Sequence, residues 1–214
     1  MKNLHIVLLM MANLLFAGEK LVNIAPGVGS VTTYDHGVKV NIERIQDPLH
    51  RLTDDFTKTS RPCPPFCIQP IAPVEGVHNI EELELIDFIE KKIPAKTGLL
   101  IDARLKRWYE AETIPGAINI PFKIVESNNT KIIGSLLRLL GAKRKDDGSF
   151  DFSGAKELAV FCNGVWCEQS PEFIRGLIKN GYPANKIYYY RSGFQGWKLL
   201  GLTTVIHKAN EAKQ

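Results

Sequence analysis

Apolar positions recur along this chain in short blocks, and their spacing switches between two periods. Val31-Thr32-Thr33-Tyr34 and Val38-Lys39-Val40-Asn41-Ile42 read as strands, the second alternating at period two, with Asp35-His36-Gly37 as turn chemistry between them. From residue 77 onward strand-like and helix-like blocks alternate. Asn79 with Glu82 predicts a capping box for a helix that carries Leu83, Ile86 and Ile89 on one face. Leu99-Leu100-Ile101 is a strand core ending in Asp102-Ala103-Arg104, and Ile114 to Pro121 is a turn followed by a short strand. Ile132 to Leu140 reads as a helix stopped by Gly141, and Lys143 to Ser149 as a solvated loop. Leu158-Ala159-Val160-Phe161 predicts another buried strand. It opens into a loop, Cys162 to Gln169, that closes on Ser170-Pro171, with Ser170 as N-cap and Pro171 as the first residue of a helix running to Asn180 and Gly181. Ile187-Tyr188-Tyr189-Tyr190 is a further strand, and a last helix begins at Gly193-Phe194-Gln195-Gly196-Trp197. Apolar strands separated by helices predict an α/β fold, a parallel sheet covered by helices on both faces. That domain occupies residues 77–207, behind a small N-terminal β-element at 18–57 and a proline-rich linker at 58–76, with a polar tail at 208–214.

Composition changes little in this picture and the N-terminus changes more. The chain has 214 residues, 44% hydrophobic and 23% charged, the balance of a soluble globular protein. Its formal net charge of +4 is not gathered into a basic face or run, so nucleic acid is not an expected partner. Met1-Lys2-Asn3 is a short positive start, Leu4 to Phe16 is almost wholly apolar, and Ala17-Gly18 then gives way to Glu19-Lys20. This reads as a signal peptide over residues 1–17; an uncleaved N-terminal anchor is the alternative. The expected location is therefore the periplasm or another exported compartment, with no membrane association once the signal is removed.

In an oxidising compartment the four cysteines become informative. Cys63-Pro64-Pro65-Phe66-Cys67 lies inside the linker, where the prolines hold the two thiols in a restrained bend. A local disulfide staple and a redox-exchanging pair are both open; the spacing, one residue longer than Cys-x-x-Cys, favours the staple. His36 has no His, Cys or carboxylate cluster beside it in the sequence and reads as a turn residue, so neither a metal nor a cofactor is expected.

The block around Cys162 carries the chemistry. Strand, thiol-bearing loop and helix N-terminus in that order make an anion-holding pocket with a nucleophile at its rim, because the loop N–H groups and the helix dipole point at the same place. Cys162 is expected there with a lowered pKa. Ligands of parallel sheets bind beyond the carboxyl ends of the strands, and Asp102 and Cys162 both sit at such ends, so both are expected to face one crevice.

Over roughly residues 77–205 these features resemble the rhodanese (sulfurtransferase) family. Ile101-Asp102-Ala103-Arg104, Tyr109 and Ile114-Pro115-Gly116-Ala117-Ile118-Asn119-Ile120-Pro121 are similar to its first signature. Val160-Phe161-Cys162 with a following Gly and Ser is similar to its active-site loop, and Ser192-Gly193-Phe194-Gln195-Gly196-Trp197 with Gly201-Leu202-Thr203-Thr204 to its closing segment. The resemblance implies that Cys162 accepts sulfur from a small-molecule donor such as thiosulfate, becomes a persulfide, and is relieved of the sulfur by a thiol acceptor, a protein thiol included. It places Asn163, Gly164, Val165, Trp166, Cys167 and Glu168 around the substrate, with their N–H groups holding the persulfide charge. Asp102 and Arg104 then either organise the loop or form a structural ion pair. Three departures stand out. Glu112-Thr113 occupies the place of the family's Gly-His, removing any hydrogen bond from that His. The loop is long, as in relatives that handle larger tetrahedral oxyanions. It also brings Trp166, Cys167 and the acidic Glu168 where thiosulfate users carry basic residues, which leaves the donor open. Cys167 reads as an apolar filler, as a resolving thiol for Cys162, or as part of an exchange cycle with Cys63 and Cys67. A dithiol redox protein and a non-catalytic binding module are the competing classes. The loop lacks the arginine that would grip a phosphate bidentately, which argues against a phosphatase.

Overall fold

In the computed structural model, which describes residues 20–207, strands β1 (Val31–Asp35) and β2 (Val38–Ile42) form an antiparallel hairpin. Both turn residues, His36 (φ 46°) and Gly37 (φ 83°), take positive φ, the turn whose twist matches that of the flanking strands. The segment 1–17, expected to be a signal peptide, and the tail 208–214 lie outside the described residues. Among the described residues no helix is long and apolar enough to cross a membrane.

After a 3-10 turn at Asp55–Thr57 and the linker, the chain enters β3 (His78–Ile80), α1 (Glu82–Lys91), β4 (Gly98–Asp102), α2 (Lys106–Ala111) and β5 (Ala117–Asn119). Then come α3 (Thr130–Leu139), a small hairpin of β6 (Lys143–Arg144) and β7 (Phe150–Asp151), β8 (Glu157–Phe161), α4 (Gln169–Lys179), β9 (Ile187–Tyr190) and α5 (Gly193–Leu199). The main sheet has five strands in the order β3-β9-β8-β4-β5, every pair parallel. It is the α/β architecture that the alternation of apolar blocks predicts.

β8 lies at the centre and is buried on both faces, which is why it reads as an unbroken apolar run and not as an alternation. Ala159 and Phe161 join Leu100, Tyr190 and the α1 and α5 residues Leu85, Ile89, Phe194 and Trp197 on one side. Leu158 and Val160 join Ile101, Tyr189 and the α3 and α4 residues Leu136, Leu137, Phe173, Ile174 and Leu177 on the other. Val31 and Ile42 of the N-terminal hairpin belong to the first of these cores.

Three local readings are corrected. Asn79 is not an N-cap: it pairs with Tyr189 in edge strand β3, and the helix begins later, with the Glu84 carboxylate accepting the Glu81 N–H at 3.2 Å. That shift turns Leu83 outward (55% exposed) and puts Leu85, Ile86, Phe88 and Ile89 inside. Helix α4 starts at Gln169, so Ser170 sits inside the first turn and does not cap it; Pro171 is tolerated there because first-turn N–H groups have no intrahelical acceptor. Residues 106–111, without an assignment from the pattern, form α2, and the solvated stretch 143–149 is flanked by the β6–β7 pair.

Candidate active site

The Cys162 loop leaves β8 and is clamped from several directions. The first turn of α5 donates two backbone bonds to it, Phe194 N–H to the Cys162 carbonyl (2.8 Å) and Gln195 N–H to the Asn163 carbonyl (2.9 Å). The Gln195 side chain accepts the Trp166 Nε1–H at 2.7 Å and donates to the Phe56 carbonyl at 2.7 Å. The linker reaches across, with Gln69 N–H donating to the Val165 carbonyl at 2.8 Å. Inside the loop the Cys167 N–H closes a turn on the Gly164 carbonyl at 2.9 Å, so this N–H is committed to the loop and is not offered to a substrate.

Beneath the loop lies a buried ion pair. The Arg104 guanidinium donates to both Asp102 carboxylate oxygens (Nε to Oδ1 2.9 Å, Nη2 to Oδ2 2.6 Å) and to the Glu112 carbonyl at 2.7 Å. It lies 4.4 Å over the Phe194 ring and makes a longer 3.5 Å contact with Asn163 Oδ1. Thr113 Oγ1 donates to Asp102 Oδ2 at 2.8 Å, so the Thr of Glu112-Thr113 fills one hydrogen-bonding position of the buried carboxylate. Asp102 is fully buried and Arg104 is 1% exposed. Arg104 meets the loop at Asn163, and neither Asp102 nor Arg104 lines the cavity above it, so the expectation that Asp102 faces an open crevice is not met.

The two thiols differ in setting. Cys162 is buried, donates to the Cys167 carbonyl at 3.3 Å and accepts from the Ser170 hydroxyl at 2.9 Å. Burial, and then the neighbouring Cys167 sulfur, push the Cys162 thiol well up, and the Ser170 hydroxyl and N–H offset this only in part. Cys167 goes the other way: the hydrogen bond from Cys162 holds its thiol down against burial, helped by the N–H groups of Asn163 and Gln169. The expectation of a lowered pKa on Cys162 is therefore not met, because burial disfavours its thiolate by more than the Ser170 hydroxyl and N–H favour it.

A cavity of about 700 Å³ opens over the loop. Asn163, Trp166, Cys167, Glu168 and Gln169 line it from the loop; Gly164, Val165, Cys162, Asp102 and Arg104 do not. Its far wall comes from elsewhere: Phe56, Arg61 and Phe66 before the main domain, Arg107 and Trp108 on α2, and Phe122 and Lys123 after β5. Arg61 stacks 3.8 Å over the Trp166 ring, and Phe66 meets that ring edge-on at 5.6 Å. Cys63 and Cys67 are joined in a disulfide (Cα–Cα 4.6 Å) that closes the Phe66 turn. Cations absent from the loop itself are thus supplied by segments distant in sequence. Nothing in the pattern around Arg61 or Arg107 marks them, because which side of a proline-rich linker faces the loop is decided by tertiary packing.

A second polar cluster lies where the β1–β2 turn meets the end of the described chain. His207 Nε2 is 2.7 Å from Asp35 Oδ2, His36 Nε2 is 2.8 Å from the Tyr109 hydroxyl, and the two imidazoles meet edge-on at 4.6 Å. His36 is therefore not unaccompanied. One ligand atom from each of Asp35, His36 and His207 lies within 4.8 Å of the others, a set able to hold a metal ion. Its partners are 172 residues apart and leave no spacing signal.

A parallel five-stranded sheet whose central strand delivers a thiol loop to a helix N-terminus defines a class of α/β domain whose ligand sites lie beyond the carboxyl ends of the strands. The Rhodanese-like domain model matches residues 84–200, and the chain belongs to that family. No curated protein matches the chain significantly. Solved structures similar in fold include a Bacillus halodurans protein (TM-score 0.44, 16% identity, 64% of this chain and 82% of that one). They also include a thiosulfate sulfurtransferase from Pseudomonas aeruginosa (TM-score 0.40, 20% identity, 62% and 21%) and a human single-domain sulfurtransferase (TM-score 0.40, 19% identity, 56% and 95%).

Proposed function

We propose that the protein is an exported sulfurtransferase or sulfur carrier that moves sulfane sulfur from a small donor to a thiol acceptor through a persulfide on Cys162. The observation that carries this reading is the placement of Cys162 at the carboxyl end of the central strand, with the Ser170 hydroxyl 2.9 Å from its sulfur at the start of α4. A Cys162 thiolate attacks the outer sulfur of the donor, and the donor's S–S bond breaks with its electron pair leaving on sulfite when the donor is thiosulfate. An acceptor thiolate then attacks the outer sulfur of the persulfide and restores Cys162. Splitting one transfer into two substitutions at sulfur is covalent catalysis, and the Ser170 hydroxyl and N–H stabilise negative charge on the Cys162 sulfur in both. Export rests on the apolar segment of residues 1–17.

Peptide mass spectrometry after incubation with thiosulfate, and separately with an organic persulfide, is expected to find one added sulfur atom on Cys162. An unmodified loop with every donor sinks the reading. The direct interaction of Cys162 with Cys167 favours a second reading, a dithiol–disulfide redox protein. That reading requires a Cys162–Cys167 bond in material purified without reductant, and it fails if both thiols are then alkylated.

A further inference from the structure

Cys162 does not meet the cavity that a donor would enter. It is 2% exposed and has no part in the cavity wall, and its sulfur is enclosed between the Cys167 carbonyl and the Ser170 hydroxyl. Cys167 does line that cavity, next to Asn163, Trp166 and Gln169. Its sulfur accepts from the Asn163 side-chain amide at 3.7 Å, and its carbonyl accepts from the Cys162 thiol at 3.3 Å, which joins the two residues directly. A substitution at sulfur needs nucleophile and electrophile in line at roughly 3–3.5 Å. Cys167 is itself only 5% exposed, but it is the thiol-bearing residue of the cavity wall, so of the two thiols it is the one that a donor seated there meets first.

We propose that Cys167 is a second catalytic thiol, which takes sulfane sulfur from the donor in the cavity and relays it to Cys162. The proposal rests on the persulfide reading above, keeps its Cys162 persulfide, and replaces the direct attack of Cys162 on the donor by an earlier step at Cys167. First, the Cys167 thiolate attacks the donor's outer sulfur. A bond forms between Cys167 Sγ and that sulfur, and the donor S–S bond breaks with its electron pair leaving on sulfite or on an organic thiolate. Cys162 then attacks the same outer sulfur. The Cys167 Sγ–S bond breaks, its electron pair stays on Cys167, and the Cys162 proton ends on the released Cys167 thiolate. The sulfane sulfur keeps its oxidation state throughout, so no oxidant or reductant enters the relay. The opposed acidities of the pair suit this division: the lowered thiol faces the donor, and the raised one stores the product away from water.

The order is tested with thiosulfate and a low-molecular-weight organic persulfide as probes, on the folded protein and on Cys162→Ser and Cys167→Ser variants. In Cys162→Ser the added sulfur is expected on Cys167 and to remain there. In Cys167→Ser loading of Cys162 is expected to slow by about tenfold or more. Loading of Cys162 at the unaltered rate in Cys167→Ser overturns the relay, as does release of sulfide with formation of a Cys162–Cys167 disulfide in the unaltered protein. Absence of sulfur from both cysteines of the unaltered protein is a different result, and it overturns the persulfide reading itself. A measurement without any variant guards against misfolding. Iodoacetamide is expected to alkylate Cys167 of the native protein about tenfold faster than Cys162, and the reverse order refutes the proposal.

Discussion

At the residue scale the site depends on a charge pair that does no chemistry. Asp102 and Arg104 are withdrawn from water completely, and the arrangement holds only because each hydrogen-bonding position of the carboxylate is filled by Arg104, Thr113 or the Arg104 backbone N–H. Arg104→Met removes one charge and strands the other, which costs about 3–5 kcal/mol. The expected outcome is a marked fall in the urea midpoint at neutral pH, and a change of less than about 1 kcal/mol shows that the pair is dispensable. The places of Asp102 and Cys162 at the carboxyl ends of β4 and β8 were legible because apolar strand cores can be read locally, but not that Asp102, Arg104 and Cys162 stay out of the cavity wall. The Ser170 hydroxyl bond to Cys162 was not: placed as an N-cap, that hydroxyl belongs to the backbone, and a helix that starts at Gln169 turns it instead toward the thiol. Arg61 over Trp166 and His207 beside Asp35 were equally hidden, since both contacts are made by segments far apart in the chain.

At the element scale the loop is held by α5 as much as by its own strand. Gly193 begins that helix with φ +59°, and a Cβ there would stand 2.6 Å from the Cys162 carbonyl and 2.8 Å from Gly164 N, distances that real Cβ atoms do not show. Gly193→Ala therefore strains the backbone and pushes the loop off the α5 N–H groups. The strain alone costs about 1–3 kcal/mol. Thermal melting is expected to show this loss. Sulfur loading is expected to fall further than the remaining folded fraction explains; loading that only tracks the folded fraction refutes a positioning role for α5. Length decided which elements were legible. β9 was read with its observed bounds, β8 all but its first residue Glu157, and α3 to within two residues. The three residues of β3 are too few to show a period, and Asn79 there imitates a cap. Lys106-Arg107-Trp108-Tyr109-Glu110-Ala111 makes fewer than two turns and buries only Tyr109, so α2 leaves no amphipathic signature.

At the scale of the whole molecule the alternation of strands and helices was enough to foresee the parallel sheet, but not what the linker covers or that the hairpin joins the core beside α1 and α5. The same two cores make the fold sensitive to alkali. Tyr190 is buried in one, Tyr182 and Tyr189 in the other, and Tyr109 lies between the first core and the His36 turn. Burial pushes all four phenols up, Tyr109 to about 12 and the others beyond it. The sign follows from linkage. An acid whose folded pKa exceeds its unfolded value of about 10 contributes its stabilisation in full below pH 10, and loses it as pH rises from there toward the folded value. Stability by urea titration is thus expected to be level up to about pH 9.5 and to fall above pH 10 by as much as about 1.4 kcal/mol per pH unit for each buried tyrosine. The tyrosinate absorbance of these four phenols is expected to appear together with unfolding and not before it; the exposed Tyr34 is no part of this test. Tyr189 offers the sharpest test, because its hydroxyl has no hydrogen-bond partner among the described residues. Tyr189→Phe removes an unsatisfied buried hydroxyl, so neutral stability is expected within about 0.5 kcal/mol of the unaltered protein or above it. The same variant is expected to flatten the alkaline slope by about one tyrosine's share. An unchanged slope in Tyr189→Phe, or ionisation of these four buried phenols in the folded protein near pH 10, shows that the sheet interior admits water and that burial does not set these acidities.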